Sequence, residues 1–337
     1  MLSKLKIGIV GATGLIGSKL LEIMQERKIK PDELRLFASE KSAGKGIRFS
    51  SKIYRVRKLT RKDVRGLDIV FFAAGSMVSS QWARIFAESG AIVIDKSSAW
   101  RKDRDCPLVI PRVNPQALDN IPKGIISSPN CSTIGLLIPL KPVIDSLGFP
   151  QRIIVSTYQS VSGAGMGAMK ALKRQRLGAI ADGPFKEQIA QNLIPGIGMF
   201  DERGNCTEEL KLVNESRRIL ERPNLDIIAT AVRVPVDISH SESVNLLYNS
   251  PFDIDKVLDA ISNSKWIDLM NNYDLPTPLK AANNDRVLVG RVRQSGLDRK
   301  ILSFFTVSDN LRIGAATNAI EIAELVADKI NKAREEN

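Results

Sequence analysis

The chain has 337 residues, 43% hydrophobic and 26% charged, a globular composition long enough for two domains of ordinary size. No run approaches the ~18 uncharged apolar residues that a membrane span needs. The start MLSKLKIGIVGATG flows into a glycine motif instead of a cleavage site, so no membrane association and no signal peptide are expected, and the expected setting is cytoplasmic.

The formal net charge of +12 raises the question of a nucleic-acid partner. The basic residues are dispersed, from Arg55, Arg57 and Lys58 through Lys170 and Lys173 to Arg291 and Arg293, with no interleaved aromatics to stack on bases. No nucleic-acid binding is therefore expected; a basic surface that attracts small anionic substrates is the plainer reading. Cys106, Cys131 and Cys206 form no even framework and read as free thiols, and no metal site is expected.

Along the first ~130 residues, short apolar runs alternate with helical segments. Strands are predicted over 6–10, 34–38, 67–74 and 91–95, with helices over 18–27 and 80–89. That alternation predicts a doubly wound parallel sheet of the α/β class. After the first strand comes Gly11-Ala12-Thr13-Gly14-Leu15-Ile16-Gly17, opening a helix. Glycines at this turn let backbone N–H groups approach a pyrophosphate at the helix N-terminus. The end of the second strand carries no Asp for a ribose 2′-hydroxyl. Ser39, Lys41 and Ser42 instead offer hydroxyls and a cation to a 2′-phosphate, which favours NADP, provided that Glu40 points away.

The segment 127–135 reads SSPNCSTIG and leads into an apolar helix with Asn130 as N-cap. Cys131 would then stand in the first helical turn, where the dipole favours a thiolate and backbone N–H groups can hold an oxyanion. Pro139 and Pro142 are expected to end or kink this helix early.

From about residue 151 the texture changes to β-branched runs over 152–158, 226–236, 243–248, 287–293 and 300–307. These predict a largely antiparallel sheet with inserted helices, an α+β domain. Residues 178–205 read as a long Gly- and Pro-rich connection, and 313–332 as a helix. Gln159-Ser160-Val161-Ser162-Gly163-Ala164-Gly165 follows a strand and allows close approach of a ring or phosphate. Glu208 and Lys211 share a helix face, which by itself would be a solvated ion pair. His240 is the only histidine, and the only side chain whose unperturbed pKa suits proton transfer at neutral pH. Arg233 is a candidate carboxylate fork. Strand alternation would put 233 and 240 on opposite faces unless a bulge at Pro235 or a turn after Ile238 intervenes.

Taken together, these segments resemble the aspartate-semialdehyde dehydrogenase family. The likeness rests on GATGLIG at 11–17, ASEKSAGK at 38–45, VIDKSSAWR at 93–101 and PNCSTI at 129–134, followed by YQSVSGAG at 158–165, EELK at 208–211, RVPVDISHS at 233–241 and DNLRIGAATNA at 309–319. It implies a Rossmann-type NADP-binding domain over 1–130, completed by the C-terminal helix 313–332, and a catalytic and dimerisation domain over 131–312. A homodimer, or a dimer of dimers, is implied as well. Cys131 would be the nucleophile and His240 the acid/base. Gln159 would orient the substrate, Arg233 bind its α-carboxylate and Glu208 its amino group, while Arg101 and Lys211 bind phosphate. Gly11, Thr13, Gly14, Leu15, Ile16, Gly17, Ser39, Lys41 and Ser42 would hold NADP, with Gly163, Gly165 and Asn318 near the nicotinamide.

The implied reaction converts L-aspartyl 4-phosphate to L-aspartate 4-semialdehyde, a step towards lysine, threonine and methionine. The family usually has Arg, Asn, Phe and Glu where Lys41, Lys96, Trp100 and Arg112 stand. Lys96 and Arg112 are expected near the phosphate pocket, where they could alter substrate affinity. Two alternatives differ in class. Another acyl-phosphate reductase would have little use for Glu208 if its substrate amine were acylated or absent. A scaffold of the same fold would have no need of Cys131 and His240.

Overall fold

The computed structural model describes residues 2–180, 183–271 and 273–335. The chain divides into two compact units, residues 1–129 with 315–337, and residues 130–314.

In the first unit the apolar run Lys6–Val10 forms β1, and α1 spans Leu15–Glu26. Strand β2 is Glu33–Ala38, followed by a hairpin of β3 (Gly46–Phe49) and β4 (Lys52–Arg55) and the short edge strand β5 (Arg57–Lys58). Then come β6 (Ile69–Phe72), α2 (Ser76–Glu88), β7 (Ile92–Asp95) and β8 (Ile125–Ser127). The main sheet has the order β5-β2-β1-β6-β7-β8, and every pairing in it is parallel. Alternation along β1 explains its continuous hydrophobicity, because both faces are covered. Ile7 and Ile9 pack with Leu20, Ile23 and Met24 of α1; Val10 packs with Ala83 and Phe86 of α2. The strand order reverses between β1 and β6, and ligands of such sheets bind at the carboxyl ends of the strands flanking that point.

The second unit opens with α3 (Cys131–Leu147), then β9 (Arg152–Gln159), α4 (Met166–Arg176), β10 (Ile194–Pro195) and α5 (Thr207–Ile219). It continues with β11 (Asp226–Arg233), β12 (His240–Leu247), α6 (Ile254–Ser262), β13 (Ile267–Leu269), α7 (Pro278–Ala281), β14 (Val287–Ser295) and β15 (Ile301–Ser308). The seven strands lie in the order β10-β11-β9-β12-β15-β14-β13. Four of the six pairings are antiparallel; β9 with β11 and β13 with β14 are parallel, so the sheet is mixed. The chain then returns to the first unit as α8 (Thr317–Glu335), whose Ala319, Ile320 and Ala323 pack against the β1 face opposite α2.

Three expectations change. Helix α3 does not end at its prolines but runs through Pro139 and Pro142 to Leu147. An interior proline costs about 3 kcal/mol. Burial of Ile134, Leu136, Leu137, Ile138 and Leu140, at about 1.5–3 kcal/mol each, outweighs that. Strand β12 begins at His240, three residues earlier than β-branched composition suggests, because β9 and β15 pair with it from both sides. Between α4 and α5 the long connection is broken by β10, which pairs with β11; its residues 181–182 lie outside the described residues.

Candidate active site

In the first unit, Gly11 follows β1 with φ +91°, and a Cβ there would stand 2.8 Å from the backbone of Ala73 after β6. A Cβ on Gly17 would stand 2.2 Å from the carbonyl oxygen of Gly11. Both positions therefore demand glycine, one for its dihedral and one for close approach of helix to strand. Gly14 is the N-cap of α1, and among the described residues no side chain caps the turn that holds Leu15, Ile16 and Gly17. Its N–H groups remain for an anion. Thr13 lies exposed beside that turn. This cradle fits a dinucleotide pyrophosphate.

Ser39 is the N-cap of a short 3-10 turn over Glu40–Ser42, and Ser39 and Lys41 are exposed. Glu40, the discordant acid, is engaged by Lys58, whose Nζ donates to Oε1 at 2.8 Å. That cation holds the Glu40 carboxyl below its usual range.

Also in this unit, Ser128 joins three site candidates. Arg101 Nε donates to its carbonyl at 3.0 Å, while Lys96 Nζ and Asn318 Nδ2 each donate to its hydroxyl at 2.8 Å. Asn318 also donates to the Val109 carbonyl at 3.1 Å, leaving its buried Oδ1 without a partner among the described residues. Arg112 is committed elsewhere than expected: Nε and Nη2 donate to the two carboxylate oxygens of Glu321 on α8, at 2.9 and 2.6 Å. A buried bidentate pair of this kind anchors a helix and leaves less of the guanidinium for substrate.

The chemical groups gather in the second unit. Cys131 is the first residue of α3, and Asn130 caps it, its Oδ1 accepting from Ser132 N at 2.9 Å. Asn130 N donates to Glu215 Oε2 at 2.6 Å, which fixes the cap from α5. Glu208 and Lys211 are more than a solvated surface pair, because Glu208 is buried. Its Oε1 accepts from Asn130 Nδ2 at 2.8 Å and Gln159 Nε2 at 3.1 Å, and its Oε2 accepts from Lys211 at 3.1 Å. Burial pushes the Glu208 carboxyl up, but the Lys211 charge and these hydrogen bonds together hold it below the usual range, so it is a carboxylate. Gln159 also donates to the Ser132 hydroxyl and keeps its own Oε1 open.

The parity objection to Arg233 and His240 dissolves in the sheet register. The two residues are not on one strand. Arg233 ends β11, His240 begins β12, and each stands directly across from Gln159 at the end of β9. Residues paired across neighbouring strands point to the same face. Their tips converge: a Cβ on Gly163 would lie 3.1 Å from Arg233 Nη1 and 3.2 Å from His240 Nε2. Arg233 Nη1 is tied to the Ser160 carbonyl at 2.6 Å. Burial draws the Arg233 pKa down, opposed by the negative charge of Glu208 and by that of Cys131 when the thiol is ionised.

His240 does not keep the near-neutral pKa assumed from sequence. Burial first, and the Arg233 charge second, push it down to about 3, so the ring is neutral at pH 7. Its Nδ1 accepts from Ser160 N at 3.1 Å, which leaves the proton on Nε2. Asn310 backs this arrangement, its Oδ1 accepting from Ser239 N at 2.9 Å and from the Ser160 and Ser162 hydroxyls at 3.2 and 3.1 Å. Glu215, Ser160 and Asn310 were not singled out from sequence. Ser160 and Asn310 lie inside recognised motifs, but nothing local marks them as supports. Gly165, with φ +88°, is the N-cap of α4.

Two family models match the chain: the semialdehyde dehydrogenase NAD-binding domain over residues 6–121 and the semialdehyde dehydrogenase dimerisation domain over residues 140–313. The class is thus that of the two-domain semialdehyde dehydrogenases, oxidoreductases with an NAD(P)-binding domain. The aspartate-semialdehyde dehydrogenase of Aquifex aeolicus is 43% identical over 333 residues, 95% of this chain and 97% of that one. The crystal structure of aspartate semialdehyde dehydrogenase II from Vibrio cholerae complexed with ASA superposes with TM-score 0.93 at 42% identity, covering 96% of this chain and 98% of that one. The enzyme from Candida albicans with NADP gives TM-score 0.75 at 25% identity, over 96% and 99%. The chain belongs to the aspartate-semialdehyde dehydrogenase family.

Proposed function

We propose that this chain catalyses the NADPH-dependent reductive dephosphorylation of L-aspartyl 4-phosphate to L-aspartate 4-semialdehyde. One observation carries the reading: Arg233, Gln159 and His240 stand in register at one end of three neighbouring strands, with Glu208 bonded to Gln159 and, through Asn130, to the cap of the helix that begins at Cys131. A nucleophile, a carboxylate fork and a carboxylate for an ammonium group together match an amino acid activated at its side chain.

Arg233 would clamp the α-carboxylate, and Glu208 with the open Gln159 Oε1 would hold the ammonium. Arg101 and Lys211 would meet the phosphate. The Cys131 thiolate, favoured by the start of α3 and by Arg233, attacks the acyl carbon, and the bond to phosphate breaks as the thioester forms. His240 holds its proton at Nε2 and donates a hydrogen bond from there to the sulfur or the acyl oxygen. Bound NADPH supplies the hydride that reduces the acyl group. Breaking the C–S bond frees the aldehyde and returns the sulfur.

Gly11, Thr13, Gly14, Leu15, Ile16 and Gly17 would hold the cofactor's pyrophosphate, with Gly163, Gly165 and Asn318 assigned to its nicotinamide end. NADP rather than NAD is supported by Ser39, Lys41 and Ser42, and by the capture of Glu40 on Lys58. A homodimer is supported by an uncovered face of the second sheet, where Ile154, Tyr158 and Ile228 are 41%, 37% and 47% exposed. The face would be buried by a second copy. No helix among the described residues is long and apolar enough to cross a membrane. A cytoplasmic setting is the one expected of a chain of this size with only three cysteines.

The test is cofactor reduction in the oxidative direction with aspartate semialdehyde, phosphate and NADP. Arg233→Lys keeps the charge but loses the fork, and kcat/KM should fall by about 10²-fold with unchanged NADP affinity. No turnover by the native chain, or a lysine variant with near-native kinetics, would reject the substrate assignment.

A further inference from the structure

Behind the row of Arg233, Gln159 and His240 lies a second row that the reaction above does not use. Register along β9, β12 and β15 sets Thr157, Glu242 and Thr306 side by side, two residues inward from Gln159, His240 and Ser308. Glu242 is two residues beyond His240 and therefore on the same face. It is 2% exposed, and Thr157 and Thr306 are 1% exposed. Glu242 Oε2 and both threonine hydroxyls have no hydrogen-bond partner among the described residues. Three buried polar groups in one row, unpaired, are a cost that a purely structural row of Val or Ile would avoid.

What this row touches is the nucleophile's helix. A Cβ on Gly135 would stand 2.8 Å from the Ser308 hydroxyl and 3.4 Å from Glu242 Oε1. Gly135 lies four residues after Cys131, one turn along the same face of α3. It is also the residue whose carbonyl loses its helical donor, because Pro139 has no N–H. We propose that Glu242 is a positioning residue for the nucleophile: through Gly135 it fixes how the first two turns of α3 sit on the sheet, and with them where Cys131 stands.

The protonation state follows from the surroundings. From β9 the group facing Glu242 is Thr157; from β15 they are Thr306 and Ser308; from α3 it is Gly135; its own strand offers His240. None of these is a cation, since His240 is neutral, and burial alone pushes the Glu242 carboxyl well above its ordinary range. A neutral acid carries a hydrogen to donate beside a turn that lacks a donor. An ionised one would place an unpaired negative charge beneath the turn that stabilises the thiolate. The row is thus a seat at neutral pH that fails when Glu242 loses its proton.

The placement of Cys131 as nucleophile comes from the proposed function, but the test needs no substrate. Alkylation of Cys131 by iodoacetamide is followed from pH 5 to pH 10 in the full chain, with Cys106 and Cys206 as the buried background. Glu242→Leu should slow Cys131 alkylation about tenfold at pH 7, and Glu242→Gln, which keeps a neutral donor, should restore it to within about threefold. Leucine and native proteins that alkylate alike would overturn the proposal.

Should the leucine protein fail to fold, the glutamine protein decides through stability. A carboxyl whose folded pKa is raised contributes stability below its unfolded pKa and loses it as pH rises towards the folded value. Glu242→Gln should therefore gain Tm over the native chain as pH rises from 6 to 9, by several degrees or more. A Tm difference that stays flat across that range would show that Glu242 is not the neutral acid that this seat requires. Loss of aldehyde turnover with these outcomes intact would count against the substrate assignment alone.

Discussion

Gly163→Ala isolates geometry from chemistry, because it adds one methyl and removes no functional group. Gly163 does not adopt a positive φ, so alanine meets no backbone penalty there. Its Cβ would sit 3.1 Å from Arg233 Nη1, 3.2 Å from His240 Nε2 and 3.3 Å from His240 Cε1, against an ordinary contact of 3.4–4 Å. The shortfall is a few tenths of an ångström at each, and neither neighbour yields cheaply. Arg233 Nη1 is held by the Ser160 carbonyl at 2.6 Å, and the far side of the His240 ring is held by Ser160 N at 3.1 Å. The methyl therefore pushes the carboxylate fork and the proton donor off their positions together. Misplacement of reacting groups by up to an ångström costs up to about 10²-fold, so kcat/KM for aspartate semialdehyde should fall by about 10- to 10²-fold, or roughly 1.4–2.7 kcal/mol. Tm should change by less than about 3 °C, because glycine-to-alanine exchange also reduces unfolded-chain entropy. Native kinetics in this variant would refute the convergence of Arg233 and His240 on that point. A collapse of Tm would instead make Gly163 a folding residue.

Other outcomes follow from the same geometry. Cys131→Ala should abolish turnover while cofactor titration remains native; residual activity above a few per cent would remove Cys131 from its role. Lys41→Asp should weaken NADP more than NAD, and equal use of both before and after the exchange would show that the loop after β2 does not read the 2′-phosphate. His240 has a folded pKa of about 3, below its unfolded value, so between the two the unfolded chain binds the extra proton. Its contribution is present above the unfolded pKa and is lost as pH falls. Urea midpoints of the native chain should therefore drop faster than those of His240→Gln as pH falls from 6.5 to 4, and parallel curves would mean that the ring is protonated inside the folded protein.

Much of this protein is written in local sequence. Apolar runs of strand length alternating with helical patterns determine the parallel sheet, because a strand covered on both faces must be hydrophobic along its whole length. Gly11 and Gly17 are legible for a similar reason: dihedral and contact limits at a strand-to-helix turn leave no other residue possible. Asn130 before Cys131 announces a helix start, since a capping side chain needs only its own neighbours.

Tertiary structure alone decided the rest. Helix α3 survives two prolines because its surroundings bury it, and no window of sequence contains those surroundings. Arg233 and His240 look opposed when counted along one strand, yet they flank Gln159 from two strands, and register between strands is a long-range property. The same holds for charge state. Side-chain type sets where a carboxyl or an imidazole starts, but Lys211 keeps Glu208 ionised, while burial keeps Glu242 and His240 neutral. Those opposite outcomes depend on solvent exclusion and on partners that the chain brings together only by folding.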